Sequence, residues 1–172
     1  MLSEELKDIV GAYKDFPKEG ILFRDISPIL RNPKVFSELI KKMSQRSQLE
    51  KADCIVAVDA RGFIFGSCIA NYLLKPLVLA RKKGKLPGEL IECSYDLEYG
   101  ENSLSLQLES LKPFKSFGIV DDLLATGGTV NAIAKLLNQN DKLITGLSVV
   151  IELADLKGRS NLDFEVSSEI IY

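Results

Sequence analysis

The stretch Val120-Asp121-Asp122-Leu123-Leu124-Ala125-Thr126-Gly127-Gly128-Thr129 constrains the fold more than any other part of the chain. The apolar run Phe117 to Val120 has the character of a buried strand, and it delivers a pair of adjacent carboxylates. A small, hydroxyl-bearing, double-glycine turn follows and opens into a helical pattern, Val130, Ile133, Ala134, Leu136 and Leu137. Strand, turn and helix in that order suit an anion. Gly127 and Gly128 can take φ > 0 and let backbone N–H groups approach a ligand, and the helix start adds partial positive charge. A phosphate is the natural guest of such a turn. Asp121 and Asp122 sit on its strand side, where they could accept hydrogen bonds from sugar hydroxyls or engage a hydrated magnesium ion. The same residues also suit an ordinary strand end, turn and helix cap, and spacing alone does not separate the two. No Gly-Lys-Ser/Thr follows, so the turn is not a Walker P-loop.

Charge and missing residue types narrow the chemistry. The chain has 172 residues, the size of one domain, and a net charge of -2. A general nucleic-acid binder would show a basic excess, so any anion site here is local. The N-terminus, Met1-Leu2-Ser3-Glu4-Glu5, is acidic where a signal peptide is basic, and no apolar run reaches the roughly 20 residues of a membrane span. Cys54, Cys68 and Cys93 lack metal-site or redox-pair spacing, which points to a reducing, cytoplasmic setting. The sequence contains no histidine. That removes the commonest general base, the serine and cysteine triads built on it, and most catalytic zinc sites. Chemistry must rest on carboxylates, Lys and Arg and backbone dipoles, with or without a hard metal ion.

Along the chain, Ser3 can cap a first helix whose apolar positions Leu6, Ile9, Val10 and Tyr13 keep helical spacing, ended by Phe16-Pro17-Lys18-Glu19-Gly20. Ile21 to Ile26 is short and extended; such a backbone can offer a C=O and an N–H to a flat heterocycle, or simply form an edge strand. Asn32 and Pro33 start a second helix with Val35, Phe36, Leu39, Ile40 and Met43 inward. Cys54 to Val58 is a buried strand, broken at Asp59-Ala60-Arg61-Gly62 before a third helix from about Phe63. The arginine of that loop suits a second anionic group, or decorates a capped turn. Pro76 to Ala80 is another strand, and Arg81, Lys82, Lys83 and Lys85 follow it as a basic loop, screened either by solvent or by an anion. Leu90 to Tyr95 and Ser103 to Glu109 read as a hairpin, with Asp96 to Asn102 as its connection. Glu98 lies near its tip, as a carboxyl group that a flap carries into a site or as a solvated turn residue. Leu143 to Ile151 is a last long strand, and Phe164 to Ile171 returns to partial alternation. Alternating strands and helices imply an α/β fold with a mostly parallel sheet and an appended hairpin. In an open sheet of that kind ligands bind at the carboxyl edge, where the loops of Arg61, Arg81 and Thr126 all leave their strands.

Several motifs together carry a resemblance: Asp15-Phe16-Pro17, Phe23-Arg24-Asp25-Ile26-Ser27-Pro28, Arg61-Gly62-Phe63-Ile64-Phe65-Gly66, Arg81-Lys82 with Gly84-Lys85-Leu86-Pro87-Gly88, Leu97-Glu98-Tyr99-Gly100, Val120 to Thr129, and Leu156-Lys157-Gly158-Arg159. Over nearly its whole length the chain is similar to the adenine phosphoribosyltransferases of the type I fold. Val120 to Thr129 marks the superfamily; Phe23 to Pro28 and Leu97 to Gly100 narrow it to the adenine enzymes. The resemblance implies one domain over residues 1–172, with a small N-terminal hood at about 1–30 and a β-hairpin flap at about 90–109. It also implies transfer of the phosphoribosyl group from phosphoribosyl pyrophosphate to adenine, Mg²⁺ as cofactor, a homodimer, and neither nucleic acid nor membrane as partner.

Residue roles follow from the same resemblance. Ala125, Thr126, Gly127, Gly128 and Thr129 hold the 5-phosphate. Asp121 and Asp122 bind the ribose hydroxyls and help place Mg²⁺, which is held mainly through substrate. Asp59, Ala60, Arg61 and Gly62, in a loop that often contains a non-proline cis peptide, receive pyrophosphate with Arg81, Lys82 and Lys85. Adenine lies against Phe23, read by the backbone of Leu22 and Arg24, while Glu98 exchanges a proton on the purine N7 side and Tyr99 closes the flap. Ala60 departs from the family, many of whose members carry a hydroxyl residue before Arg-Gly. Other readings are a 6-oxopurine phosphoribosyltransferase, which shares the phosphate turn; a non-catalytic ligand-sensing regulator on the same fold, which would need a DNA-binding module; and a response-regulator-like receiver, which the Thr-Gly-Gly-Thr continuation and the flap oppose.

Overall fold

Cys54-Ile55-Val56-Ala57-Val58 is apolar at every position, as a strand covered on both faces must be. It forms β3 (Cys54–Val58), fully buried at the middle of the main sheet. The structure, a computed structural model, describes residues 2–97 and 100–172. They divide into two compact units, Met1–Lys42 and Met43–Tyr172.

The larger unit holds a seven-stranded sheet. Beside β3 run β4 (Leu77–Lys82) on one side and β7 (Ser116–Leu124) on the other, both parallel to it. Beyond β7 come β8 (Leu143–Glu152) and β9 (Val166–Ile171), again parallel. Beyond β4 the hairpin of β5 (Leu90–Leu97) and β6 (Gly100–Gln107) adds antiparallel strands. Helices α4 (Ser47–Glu50), α5 (Gly62–Leu73), α6 (Leu108–Leu111) and α7 (Gly128–Asn138) belong to the same unit, with short 3₁₀ helices at Ala154–Leu156 and Gly158–Asn161.

The period-two alternation of β3 assigns the faces. Cys54, Val56 and Val58 join one core cluster with Val130, Ile133 and Leu137 of α7. Ala57 points the other way, against Gly66 of α5, where an added Cβ would lie 2.4 Å from the Ala57 Cβ. Helices α5 and α7 therefore cover opposite faces, and each begins at the carboxyl end of the strand before it.

The larger unit departs from the sequence expectations at its antiparallel side. β4 runs on through Arg81 and Lys82, which pair with Ser105 and Leu104 of β6. The first two cations of the basic stretch thus belong to a strand, because the neighbouring hairpin supplies backbone partners that extend it. The hairpin ladder likewise continues to Asp96↔Glu101 and Leu97↔Gly100, taking in residues expected in the connection. Backbone pairing needs no apolar stripe, so alternation underestimates such strands. Glu109, expected in the strand, lies in α6.

In the smaller unit the expected long first helix is shorter. Helix α1 spans Leu2–Ile9, and Gly11–Lys14 forms β1, antiparallel to β2 (Leu22–Asp25). Tyr13 therefore lies opposite Phe23 rather than on a helix face. Gly11 decides this: it weakens a helix, and a Cβ there would lie 3.1 Å from the Asp25 Cβ across the ladder. Ser3 falls inside α1 instead of capping it. Helix α2 (Ser27–Leu30) follows, and α3 (Pro33–Ser44) starts as its sequence indicates, Asn32 Oδ1 accepting from the Val35 N–H at 3.3 Å.

Candidate active site

Parallel strands β4, β3 and β7 are neighbours, so the segments that leave their carboxyl ends emerge on one edge of the sheet. Three sequence-predicted loops meet there. The Asp59 N–H donates to the Ala80 carbonyl at 2.9 Å, which carries the ladder into the first of them. The Asp59–Ala60 peptide bond is cis. Asp59 then accepts from Arg81, whose Nε lies 3.3 Å from Oδ2, and the Lys82 N–H reaches the same oxygen at 3.5 Å. Arg81 also lies over the Phe63 ring, 5.7 Å from its centroid, and donates through Nη1 to the Lys85 carbonyl at 3.3 Å. Lys83 pairs instead with Glu92 of the hairpin at 3.2 Å. Lys82 and Lys85 are exposed.

Arg61 turns toward β7. Its Nε forms an ion pair with Asp122 Oδ2 at 2.9 Å. Gly62, next in the chain, lies so close to β7 that a Cβ would stand 2.8 Å from Asp121 Oδ1 and 3.1 Å from the Asp121 Cα. Only glycine permits that approach, which explains the Arg-Gly pair physically.

Asp121 and Asp122 are strand residues of β7 and both are buried. The Asp122 N–H donates to Asp121 Oδ1 at 2.8 Å. Burial, and then the charge of Asp122, push the Asp121 carboxyl well above the ordinary carboxylate range. Burial raises Asp122 as well, opposed by Arg61. Two buried acids whose negative charges are disfavoured are chemically matched to a hard divalent cation or to donor hydroxyls, either of which relieves them. Among the described residues no group of three or more metal-binding side chains occurs, so the remaining ligands of such an ion would come from a substrate or water.

Beyond Leu124 the chain makes its double-glycine turn. Gly127 takes φ +85, the left-handed region, and caps α7, its carbonyl accepting from the Asn131 N–H at 2.9 Å. The Thr129 hydroxyl donates to the Tyr95 hydroxyl at 3.3 Å, joining the turn to β5. On the turn's other side the chain after β8 passes close behind it. A Cβ on Gly158 would lie 2.1 Å from the Ala125 carbonyl oxygen, and Asn161 Nδ2 donates to the Thr126 carbonyl at 3.0 Å.

The larger unit thus brings together Asp59 to Gly62, Arg81, Asp121, Asp122 and Ala125 to Thr129. Leu22, Phe23 and Arg24 belong to the smaller unit, on β2, where Phe16 packs edge-on to Phe23 with ring centroids 5.1 Å apart. Glu98 and Tyr99 lie outside the described residues. Sequence reasoning gave no part to Tyr95, Gly158 or Asn161. Gly158 had a signal in the Leu156-Lys157-Gly158-Arg159 motif, to which no role was attached; Tyr95 and Asn161 carried none.

Residues 25–170 match the phosphoribosyl transferase domain family. An adenine phosphoribosyltransferase of Prochlorococcus marinus (strain MIT 9215) is 72% identical over 172 residues, covering 100% of both chains. Among solved structures, the adenine phosphoribosyltransferase of Thermoanaerobacter pseudethanolicus superposes with a TM-score of 0.93 at 40% identity, covering 99% of each chain. That of Saccharomyces cerevisiae, bound to D-2,5-dideoxy-2,5-imino-altritol 1,6-bisphosphate and adenine, superposes with a TM-score of 0.89 at 38% identity, covering 98% of each.

Proposed function

Because the chain belongs to the adenine phosphoribosyltransferase family, we propose that its three strand-end loops bind phosphoribosyl pyrophosphate for transfer of the phosphoribosyl group to adenine. The chain is a pentosyl transferase: adenine N9 displaces pyrophosphate at the anomeric carbon of the ribose, giving AMP. The observation that carries the assignment of parts is the convergence of Arg61, Asp122 and the double-glycine turn on one sheet edge.

In this reading the backbone N–H groups and hydroxyls of Ala125 to Thr129 hold the 5-phosphate. Asp121 and Asp122 accept from the ribose hydroxyls and, as the sugar gains positive charge in the transition state, stabilise it electrostatically. The loop from Asp59 to Gly62, with Arg81, Lys82 and Lys85, receives the departing pyrophosphate; Ala60 offers it backbone groups alone. Mg²⁺ bound with the substrate supplies further positive charge on the leaving group, with Asp121 and Asp122 nearby. Leu22, Phe23 and Arg24 take adenine, an extended backbone matching the C=O and N–H that its amine and ring nitrogen require. Glu98 moves a proton on the N7 side, and Tyr99 closes the flap. One domain over residues 1–172, a homodimer and a cytoplasmic setting complete the proposal. The free cysteines Cys54, Cys68 and Cys93 support the last, and among the described residues no helix is long and apolar enough to cross a membrane.

The test is the purified chain with Mg²⁺, phosphoribosyl pyrophosphate and each purine base in turn. AMP and pyrophosphate should form from adenine, and preferred use of hypoxanthine or guanine would overturn the assignment of Leu22 to Arg24. Glu98→Gln should lower kcat by about 10²- to 10⁴-fold with little change in KM for adenine. An unchanged kcat would dismiss Glu98 as acid or base.

A further inference from the structure

We infer that Gly158 and Asn161 are positioning residues for phosphoribosyl pyrophosphate, setting the direction of the peptide N–H groups of the Ala125 to Thr129 turn from behind. The inference rests on the reading of that turn as the 5-phosphate site.

A peptide turn binds an anion only if its N–H groups converge on one side, which requires the intervening carbonyls to point to the other. In a trans peptide the C=O and the following N–H are antiparallel, so fixing one fixes the other. Among the described residues only Phe16–Pro17 and Asp59–Ala60 are cis, so the Ala125–Thr126 and Thr126–Gly127 peptides are both trans. Each presents its carbonyl to the segment after β8. The Ala125 oxygen lies against Gly158 so closely that a Cβ there would stand 2.1 Å from it. The Thr126 oxygen accepts from Asn161 Nδ2 at 3.0 Å. Each N–H therefore points opposite to its own peptide's carbonyl, that of Thr126 away from the Gly158 contact and that of Gly127 away from the Asn161 bond, with Gly158 packed against the Gly127 nitrogen as well, 3.1 Å from where a Gly158 Cβ would stand. The approach is mutual, since a Cβ on Gly127 would lie 3.0 Å from the Gly158 carbonyl oxygen.

The backing segment is itself anchored. Arg159 donates through Nε to Glu152 Oε1 at 2.9 Å, through Nη1 to the Val166 carbonyl at 2.6 Å and through Nη2 to the Ser168 hydroxyl at 3.0 Å. The Leu153 N–H donates to the Leu124 carbonyl at 2.9 Å, binding the end of β8 to the end of β7. Gly158 lies between these two attachments and Asn161 two residues beyond Arg159, so the turn is fixed against the sheet and not only by its own glycines. The segment touches no reacting atom, and its effect reaches the reaction through Thr126 and Gly127.

The experiment measures ribose 5-phosphate binding by calorimetry and steady-state constants on the full chain, wild type beside Asn161→Ala, Asn161→Asp and Thr126→Val. Asn161→Ala should weaken ribose 5-phosphate and raise KM for phosphoribosyl pyrophosphate by about threefold to tenfold, the range of one hydrogen bond, with KM for adenine unchanged. Asn161→Asp should be worse, because it replaces the donor by a second acceptor facing the Thr126 carbonyl. A merely structural Asn161 would instead lower the thermal midpoint and affect both substrates alike, which overturns the inference. If Thr126→Val weakens ribose 5-phosphate but neither Asn161 variant does, the backing role fails while the phosphate reading stands. If none of the three changes binding, the phosphate reading fails with it. Gly158→Ala should give a larger loss than Asn161→Ala, since its clash is with backbone, and its folding is checked by circular dichroism.

Discussion

The loop after β3 and the turn after β7 stand on adjacent parallel strands, yet they are built on opposite principles. The first works through side chains, and those side chains are already engaged: Arg61 with Asp122, Arg81 with Asp59. Each cation is about one-third exposed, so its guanidinium can be reached from solvent while its carboxylate partner stays largely buried. An incoming polyanion therefore meets cations that are already positioned and open on one side. The second works through backbone groups, fixed by the left-handed Gly127 and backed by Gly158 and Asn161. Of its side chains, the Thr129 hydroxyl is engaged, with Tyr95. On the proposed assignment the difference matches the fates of the two anions: the 5-phosphate stays on the product through the whole reaction, while pyrophosphate must leave. A rigid cradle suits the retained group, and cations open to solvent suit the departing one.

The largest effect expected is that of removing both acids of β7. Asp121→Asn with Asp122→Asn should cut turnover by about 10³-fold or more while the circular dichroism spectrum stays native, since paired electrostatic groups are each worth about 10²-fold or more. Near-wild-type turnover would make these carboxylates structural and leave β7 with its turn alone. A smaller effect should separate the two loops. Arg61→Ala is expected to lower kcat/KM for phosphoribosyl pyrophosphate by about 10- to 100-fold, the range of a charge-assisted hydrogen bond, and to weaken ribose 5-phosphate much less, only through its lost pairing with Asp122. An equal loss for both ligands would mean that the loops act as one site and that the division between them is false.

Legibility in the sequence follows the same division. The β7 turn was readable because strand, acids, glycines and helix are contiguous, and the Arg61 loop because β3 and α5 flank it without interruption. What escaped depends on partners distant in the chain. Tyr13 continues the helical spacing of Leu6, Ile9 and Val10, and although Gly11 weakens the helix there, it is the pairing with β2 that makes the segment a strand. Arg81 and Lys82 look like a solvated loop until β6 is beside them. Thr129 meets Tyr95, 34 residues away, and Thr126 meets Asn161 at 35, and no local pattern encodes either contact. Leu22 to Arg24 was legible as extended backbone, and its place in a two-stranded sheet agrees with both the heterocycle and the edge-strand readings.

The smallest effect concerns stability, and it asks whether β7 bears a cost that the β3 loop does not. Asp121 is held well above the ordinary carboxylate range, by burial first and by the charge of Asp122 second. A carboxyl group whose pKa rises on folding binds its proton more tightly in the folded chain than in the unfolded one. Its favourable contribution is fully present below the unfolded value and is lost as pH climbs through the folded value, so at neutral pH the buried acid weakens the free protein. Asp121→Asn removes that titration and keeps an oxygen to accept from the Asp122 N–H, the bond that spans 2.8 Å in the wild type. The thermal midpoint of the ligand-free variant should therefore exceed that of the wild type at neutral pH by about 2 to 4 °C, the shift that about 1 kcal/mol produces in a chain of this size. The difference should shrink as pH falls toward the ordinary carboxylate range, where the wild-type acid is protonated and resembles the amide. Thermal melts of both proteins across that pH range decide the matter. A variant that is less stable at every pH would mean that Asp121 is already satisfied before substrate arrives, and that the acids of β7, like the cations beside them, are at rest in the free protein.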